Sequence, residues 1–109
     1  KYKDNIILQK NKISYANNIY WVFGILVKKN GKISRNEIMK RLLKKNIETR
    51  PFFLSMNKQK IFKKMNLFNN VKVPNSEYLS KNGFYLPSGL GITNKQIDFV
   101  IKNLLKIIS

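Results

Sequence analysis

Hydrophobic positions fall into a few short blocks separated by lysine- and asparagine-rich stretches. The run "IYWVFGILV", residues 19 to 27, is almost unbroken and rich in β-branched and aromatic side chains, and the turn signal "KKNGK" follows it. Its length and flanks predict a central strand buried on both faces. Ser34 and Glu37 then form an S-x-x-E capping box ahead of Ile38, Met39, Leu42 and Leu43, whose spacing gives one apolar helical face. A helix over about 35–45 is expected, with Asn46 in the left-handed cap conformation. "IETRPFF", 47 to 53, opens with β-friendly residues, but Pro51 cannot donate to a ladder and holds Arg50 extended. The strand should therefore end or reach a sheet edge there.

Further along, Ile61, Phe62 and Met65 suggest a short helix, followed by an asparagine-rich loop. "PNSEYLSKNG", 74 to 83, combines Pro, an Asn or Ser cap and a terminal Gly, which predicts a two-turn helix. "FYLPSG" supplies a short strand stopped by Pro87 and Gly89. A second capping box, Thr93 to Gln96, opens a last helix in which Ile97, Val100, Ile101, Leu104, Leu105 and Ile108 follow a 3.6-residue period. Residues 1–18 hold one apolar cluster, "NIILQ", and no clear period, so they form a lead-in segment to a domain at 19–109. The order strand, helix, strand, loop, short helix, strand, helix implies an α+β fold: a small, mainly antiparallel sheet with helices packed on one face. A central strand apolar on both faces also implies that the other sheet face meets something.

Composition narrows the chemistry. At 109 residues and 43% hydrophobic the chain suits one globular unit, and no apolar run reaches the length of a bilayer span. No membrane role and a cytoplasmic location are the expectation. Cysteine and histidine are absent, which removes disulfides, thiolate metal sites and the commonest general base, so no metal is expected. Asp4, Glu37, Glu48, Glu77 and Asp98 are the carboxylates. A net charge of +17 points to polyanions. It comes mainly from lysines spread end to end, with arginine only at 35, 41 and 50, so nucleic-acid contact is expected to be nonspecific.

Three stretches could carry a site. "SGLGIT", 88 to 93, precedes a helix N-terminus but lacks both dinucleotide and Walker spacing, which makes it ordinary turn chemistry. Tyr20, Trp21 and Phe23 could stack bases, although so apolar a run belongs in a core. Arg50 with Phe52 and Phe53 places a guanidinium and two rings at a strand end, where sites are common; an edge arginine over core aromatics is the alternative.

"YANNIYWVFGILV", "SRNEIMKRLLKKNIETRPFF", "PNSEYLSKNGFYLPSGLGIT" and "NKQIDFVIKNLL" together resemble the C-terminal small domain of the DegT/DnrJ/EryC1/StrS sugar aminotransferases, in the same order and from about residue 15 onward. The YWVFGI form is similar to perosamine synthase-type enzymes. The resemblance implies a fold-type-I, pyridoxal-phosphate enzyme of polysaccharide biosynthesis that moves an amino group from glutamate to a nucleotide-linked 4-keto-6-deoxyhexose. It also implies a homodimer in full-length form, in which the strand end at Arg50, Pro51, Phe52 and Phe53 faces a cleft between the small domain and a large cofactor-binding domain. Family members often continue this segment with Tyr-Pro-Met-His, whereas here Leu54, Ser55, Met56 and Asn57 follow. Asn57, at the His position, can hydrogen-bond but cannot titrate near neutrality.

In the family the Schiff-base lysine, the aspartate facing the pyridine nitrogen and the phosphate-binding residues lie upstream, and none of this chain's lysines sits in the lysine motif. The expectation is a domain fragment with no catalytic residue, inactive alone and not binding pyridoxal phosphate by itself. Its substrate-binding candidates are Arg50, Pro51, Phe52, Phe53 and Asn57. The alternatives are a basic nucleic-acid-binding module, or a degenerate remnant that binds a partner through its uncovered sheet face.

Overall fold

Strand β4 (Phe23–Val27) is the axis of a four-stranded antiparallel sheet. The computed structural model describes residues 5–109. In it β4 is flanked by β1 (Ile6–Leu8) and β6 (Gly83–Leu86), and β5 (Arg50–Pro51) forms the edge beyond β6. A separate small ribbon pairs β2 (Lys12–Ile13) with β3 (Ala16–Asn17). The register sets Phe23 opposite Leu86, Ile25 opposite Phe84 and Val27 opposite Ile6, so these side chains share one face. Helices α1 (Arg35–Leu43) and α4 (Asn94–Ile108) touch one another and cover that face. Ile38, Leu42, Val100, Leu104 and Ile108 join Ile25, Val27, Phe84 and Leu86 in one buried core. Each such side chain stabilises the fold by roughly 1.5–3 kcal/mol of apolar burial.

The helix ends show why these segments stop where they do. Asn46 has φ 58°, its N–H donates to Leu43 O, and the Ile47 N–H reaches back to Leu42 O at 3.1 Å. That is a Schellman closure, and the buried Ile47 beside the buried Leu42 supplies its hydrophobic contact. On α4 the capping box is complete: Thr93 Oγ1 accepts from Gln96 N, and Gln96 Oε1 accepts from Thr93 N at 2.8 Å. On α1 only half of the expected box forms. Ser34 Oγ accepts from Glu37 N, but the Glu37 carboxylate turns outward to accept from Arg41 Nε at 2.7 Å, an i,i+4 pair.

Several expectations are corrected. The lead-in contains β1, and Ile6 is part of the core; "NIILQ" is too short to show a period, yet it completes the sheet beside β4. Asp4 lies outside the described residues. The strand expected at 19–27 begins only at Phe23. Tyr20 sits at φ 48° with its ring stacked on Phe23, and Trp21 is 74% exposed, so the first half of the apolar run leaves the sheet. The strand over 47–53 shrinks to the edge pair Arg50–Pro51, which is where proline is tolerated. Helix α3 (Pro74–Asn82) has Pro74 at its first turn, as expected, but no side-chain cap. Arg35 Nη1 instead closes its other end, donating to Ser80 O at 2.6 Å, where a cation meets the negative end of the helix. The short helix around Ile61 is α2 (Lys60–Lys64).

Candidate functional site

Two glycines shape the second face of the sheet. A Cβ on Gly24 would lie 2.7 Å from Phe52 Cζ, and one on Gly83 would lie 2.3 Å from Phe52 Cδ2 and 2.6 Å from Leu79 O. The Phe52 ring therefore lies on a gap that only glycine leaves open, at the point where β4 and β6 pair Leu26 with Gly83. Tyr85 extends the aromatic surface, with its ring 6.4 Å from Phe52 and 6.5 Å from Phe53. Phe53 is 70% exposed.

From this seat the chain runs through Leu54 and Ser55 into a 3-10 turn, Met56–Lys58, and opens a cleft of about 550 Å³ against α3. Phe52, Phe53, Leu54 and Met56 form one wall; Ser76, Leu79 and Ser80 of α3 form the other, with Phe68, Val71 and Val73 closing an end. The walls are joined by polar links. Ser55, buried, donates from Oγ to Asn57 Oδ1 at 2.6 Å, and Asn57 Nδ2 donates to Glu77 Oε1 at 2.7 Å. Lys58 Nζ stands 3.4 Å from the same Glu77 oxygen. The Asn57 hydrogen bond holds the Glu77 carboxyl below its ordinary pKa, against partial desolvation and with help from Lys58. A second cleft of about 560 Å³ adjoins the first through Asn57, Phe68, Val71 and Val73, and carries Lys58, Lys63 and Lys72.

The structure thus gathers Phe52, Phe53 and Asn57 at one cleft and leaves Arg50 elsewhere. Arg50 lines a groove of about 250 Å³ with Val22, Thr49, Tyr85 and Ser88, and its Nη2 is 3.2 Å from Glu48 Oε1, both side chains largely exposed. Such a pair contributes about 0–1 kcal/mol, so the guanidinium is not tied down. Pro51 is exposed opposite Phe84 and lines neither cavity. Glu77, Ser55 and the two glycines escaped the sequence reasoning. Glu77 was one carboxylate of five, and Gly83 reads as a helix terminator when its φ of −92° is simply extended. "SGLGIT" is a turn, with Ile92 N donating to Gly89 O, and Gly89 and Gly91 face open space.

Pyridoxal phosphate, which the sequence resemblance implies, needs an enclosed amine. Every lysine among the described residues is exposed or half-buried, and none lines the apolar cleft, so these residues do not fit the cofactor. Among the described residues no cluster of carboxylates could hold a metal, and no helix is long and apolar enough to cross a membrane.

The comparisons with known proteins agree with this architecture. The model of the DegT/DnrJ/EryC1/StrS aminotransferase family matches residues 3–105. A putative sugar aminotransferase, Spr1654 from Streptococcus pneumoniae in its apo form, superposes with a TM-score of 0.80 at 16% identity, covering 97% of this chain and 28% of that one. The E. coli GDP-4-keto-6-deoxy-D-mannose-3-dehydratase with bound hydrated PLP gives 0.74 at 22% identity, over 94% of this chain and 27% of that one. Helicobacter pylori PseC, an aminotransferase involved in the biosynthesis of pseudoaminic acid, gives 0.69 at 16% identity, over 80% and 23%. The chain spans about a quarter of the length of these structures. A comparison with curated protein sequences gives no match. Neither the family nor these folds supports the nucleic-acid-binding alternative.

Proposed function

Because the chain belongs to the DegT/DnrJ/EryC1/StrS aminotransferase family, we propose that it serves as the small domain of a pyridoxal-phosphate-dependent enzyme that aminates a nucleotide-linked 4-keto-6-deoxyhexose. The observation that carries this reading is the family match over 3–105 in a chain about a quarter as long as its structural relatives. A large cofactor-binding domain is the partner, and the full-length enzyme is a homodimer. Exposed apolar side chains around the first cleft, Phe53, Leu54, Met56 and Phe68 among them, give that partner a surface to cover. The chain contributes no catalytic residue. Its part is to orient and enclose: Phe53 and the Asn57 turn at the cleft rim, and Arg50 as a cation for the substrate diphosphate.

The experiment is an amination assay on the full polypeptide carrying this chain, supplied with glutamate, pyridoxal phosphate and candidate sugar nucleotides. Formation of an amino sugar with release of 2-oxoglutarate supports the reading; loss of a hydroxyl without amination places the protein with the dehydratases instead. In an active enzyme Arg50→Ala should raise the sugar-nucleotide KM by an amount worth about 1.5–3 kcal/mol, the scale of a hydrogen bond to a charged group. An unchanged KM removes Arg50 from the site. The 109-residue chain alone, titrated with pyridoxal phosphate, should show only weak adducts spread over its lysines.

A further inference from the structure

We infer that Glu77 is a positioning residue, clasping the two walls of the apolar cleft together through Asn57. The two residues lie twenty positions apart, one on α3 and one in the 3-10 turn that follows Phe53. Helix α3 runs without a loop into β6, an interior strand, so Glu77 stands on an element anchored in the sheet. Among the described residues the opposite wall has no such anchor beyond Phe52, since β5 is two residues long and its last ladder bond is Phe52 N to Gly83 O. What holds residues 54–58 to α3 past that point is the Asn57–Glu77 bond, reinforced by Lys58.

Hydrogen-bond chemistry fixes how the clasp works. A carboxylate only accepts, so Asn57 must turn its amide nitrogen to Glu77 and its oxygen away. That oxygen takes the Ser55 hydroxyl, which is buried and finds its partner there. Donation runs one way, Ser55 to Asn57 to Glu77, and each bond polarises the next. The turn is closed in parallel by Lys58 N donating to Ser55 O at 2.8 Å and Gln59 N donating to Met56 O at 3.1 Å. Apolar contacts between the walls are not directional, and a slip between Phe53 and Leu79 would be resisted weakly. The clasp sets the spacing of the rim. Asn57 is engaged at both ends of its amide, by one bond at the oxygen and one at the nitrogen, so it acts on the rim that it holds as well as through the N–H and lone pair that stay uncommitted.

Structurally the clasp stands alone; its bearing on catalysis rests on the proposed function, and one set of variants separates the two. In the full polypeptide carrying this chain, hydrogen exchange resolved to single amides is measured for Glu77→Ala, Asn57→Ala, the double variant and Glu77→Gln. The Lys58 and Gln59 amides should exchange about tenfold faster in each alanine variant, the scale of one lost charge-assisted bond. The double variant should fall well short of the two effects added together, because both changes remove the Asn57–Glu77 bond and each loses only one further link, Lys58 to Glu77 or Ser55 to Asn57. Glu77→Gln keeps an accepting oxygen but loses the charge and the Lys58 pair, and should fall between the parent and the alanine variants. Amides of β4 and β6 should not change. Unchanged Lys58 and Gln59 amides, additive effects, or a uniform acceleration across the sheet would each overturn the clasp. In an active enzyme the alanine variants should raise the sugar-nucleotide KM and leave kcat. Faster local exchange with an unchanged KM keeps the clasp and takes the cleft out of the substrate's path.

Discussion

Replacing Gly83 with alanine tests whether the aromatic seat is as tight as the structure shows. The added Cβ would meet Phe52 Cδ2 at 2.3 Å, Phe52 Cγ at 2.6 Å and Leu79 O at 2.6 Å. Carbon atoms pack best at about 3.5–4.0 Å, so the overlap with the ring exceeds 1 Å. The backbone itself raises no objection, since φ −92° and ψ 145° suit any residue. In an open site the change would therefore stabilise by about 0.4–1 kcal/mol through the unfolded chain. Overpacking costs about 1–3 kcal/mol, and here the upper end applies because Leu79 O belongs to α3 and accepts the Gly83 N–H, so it cannot retreat. The expected net loss is about 2 kcal/mol. Gly24→Ala is the control. Its clashes, 2.7 and 3.2 Å to Phe52 and 3.3 Å to Gln9, are all with side chains. Truncating the ring with Phe52→Leu should abolish the extra cost of Gly24→Ala but only part of that of Gly83→Ala, whose carbonyl clash remains. Urea unfolding followed by far-UV circular dichroism suits the measurement, as the one tryptophan, Trp21, is exposed and reports poorly. A Gly83→Ala variant as stable as the parent would refute the seat.

Other substitutions probe the remaining supports. Phe84→Ala, which empties a fully buried position opposite Ile25, should cost about 3–5 kcal/mol in the same unfolding experiment. Thr93→Ala should cost about 1 kcal/mol and more than Ser34→Ala, since the α4 box is reciprocal and the α1 box is not. Stability should also fall in acid. Glu77 and Glu37 both have folded pKa values lowered from 4.5, by Asn57 and Arg41 respectively, so their contribution is present above the unfolded value and is lost as pH falls through the lower folded one. Glu77→Gln should flatten part of that slope; an unchanged pH profile would show that the carboxylate gains nothing from its partners.

Local signals on the helices were legible because each is decided within a few residues. Asn46 could be read as a left-handed cap and Thr93 as an N-cap from sequence alone, and both geometries are present. The apolar period of α4 was also real, although only Val100, Leu104 and Ile108 are fully buried while Ile97, Ile101 and Leu105 form a partly exposed second row. The errors lie where a partner far along the chain decides. "NIILQ" becomes a strand only because Val27 lies opposite Ile6, and the run at 19–27 leaves the sheet once Tyr20 turns to left-handed φ. Glu37 satisfies the capping pattern, yet Arg41 outcompetes the helix terminus for its carboxylate.

The candidate site shows the same division more sharply. "IETRPFF" marks a strand end correctly, but the strand's side chains point to different places. Alternation sends Arg50 and Phe52 to the second sheet face, one beside Tyr85 and the other onto Gly24 and Gly83, while Pro51 stays on the edge. A cation and two rings that are neighbours in sequence thus belong to separate grooves; Tyr85 lines the one with Arg50, and its ring stands 6.4 Å from Phe52 and 6.5 Å from Phe53. The residue type of Asn57 allows it to bond a ligand as well as any asparagine, and nothing nearby in sequence says otherwise. Glu77, twenty residues on, takes its amide nitrogen and Ser55 takes its oxygen. One N–H and one lone pair of the amide stay uncommitted, so Asn57 ties the turn to α3 and still has the means to contact a ligand.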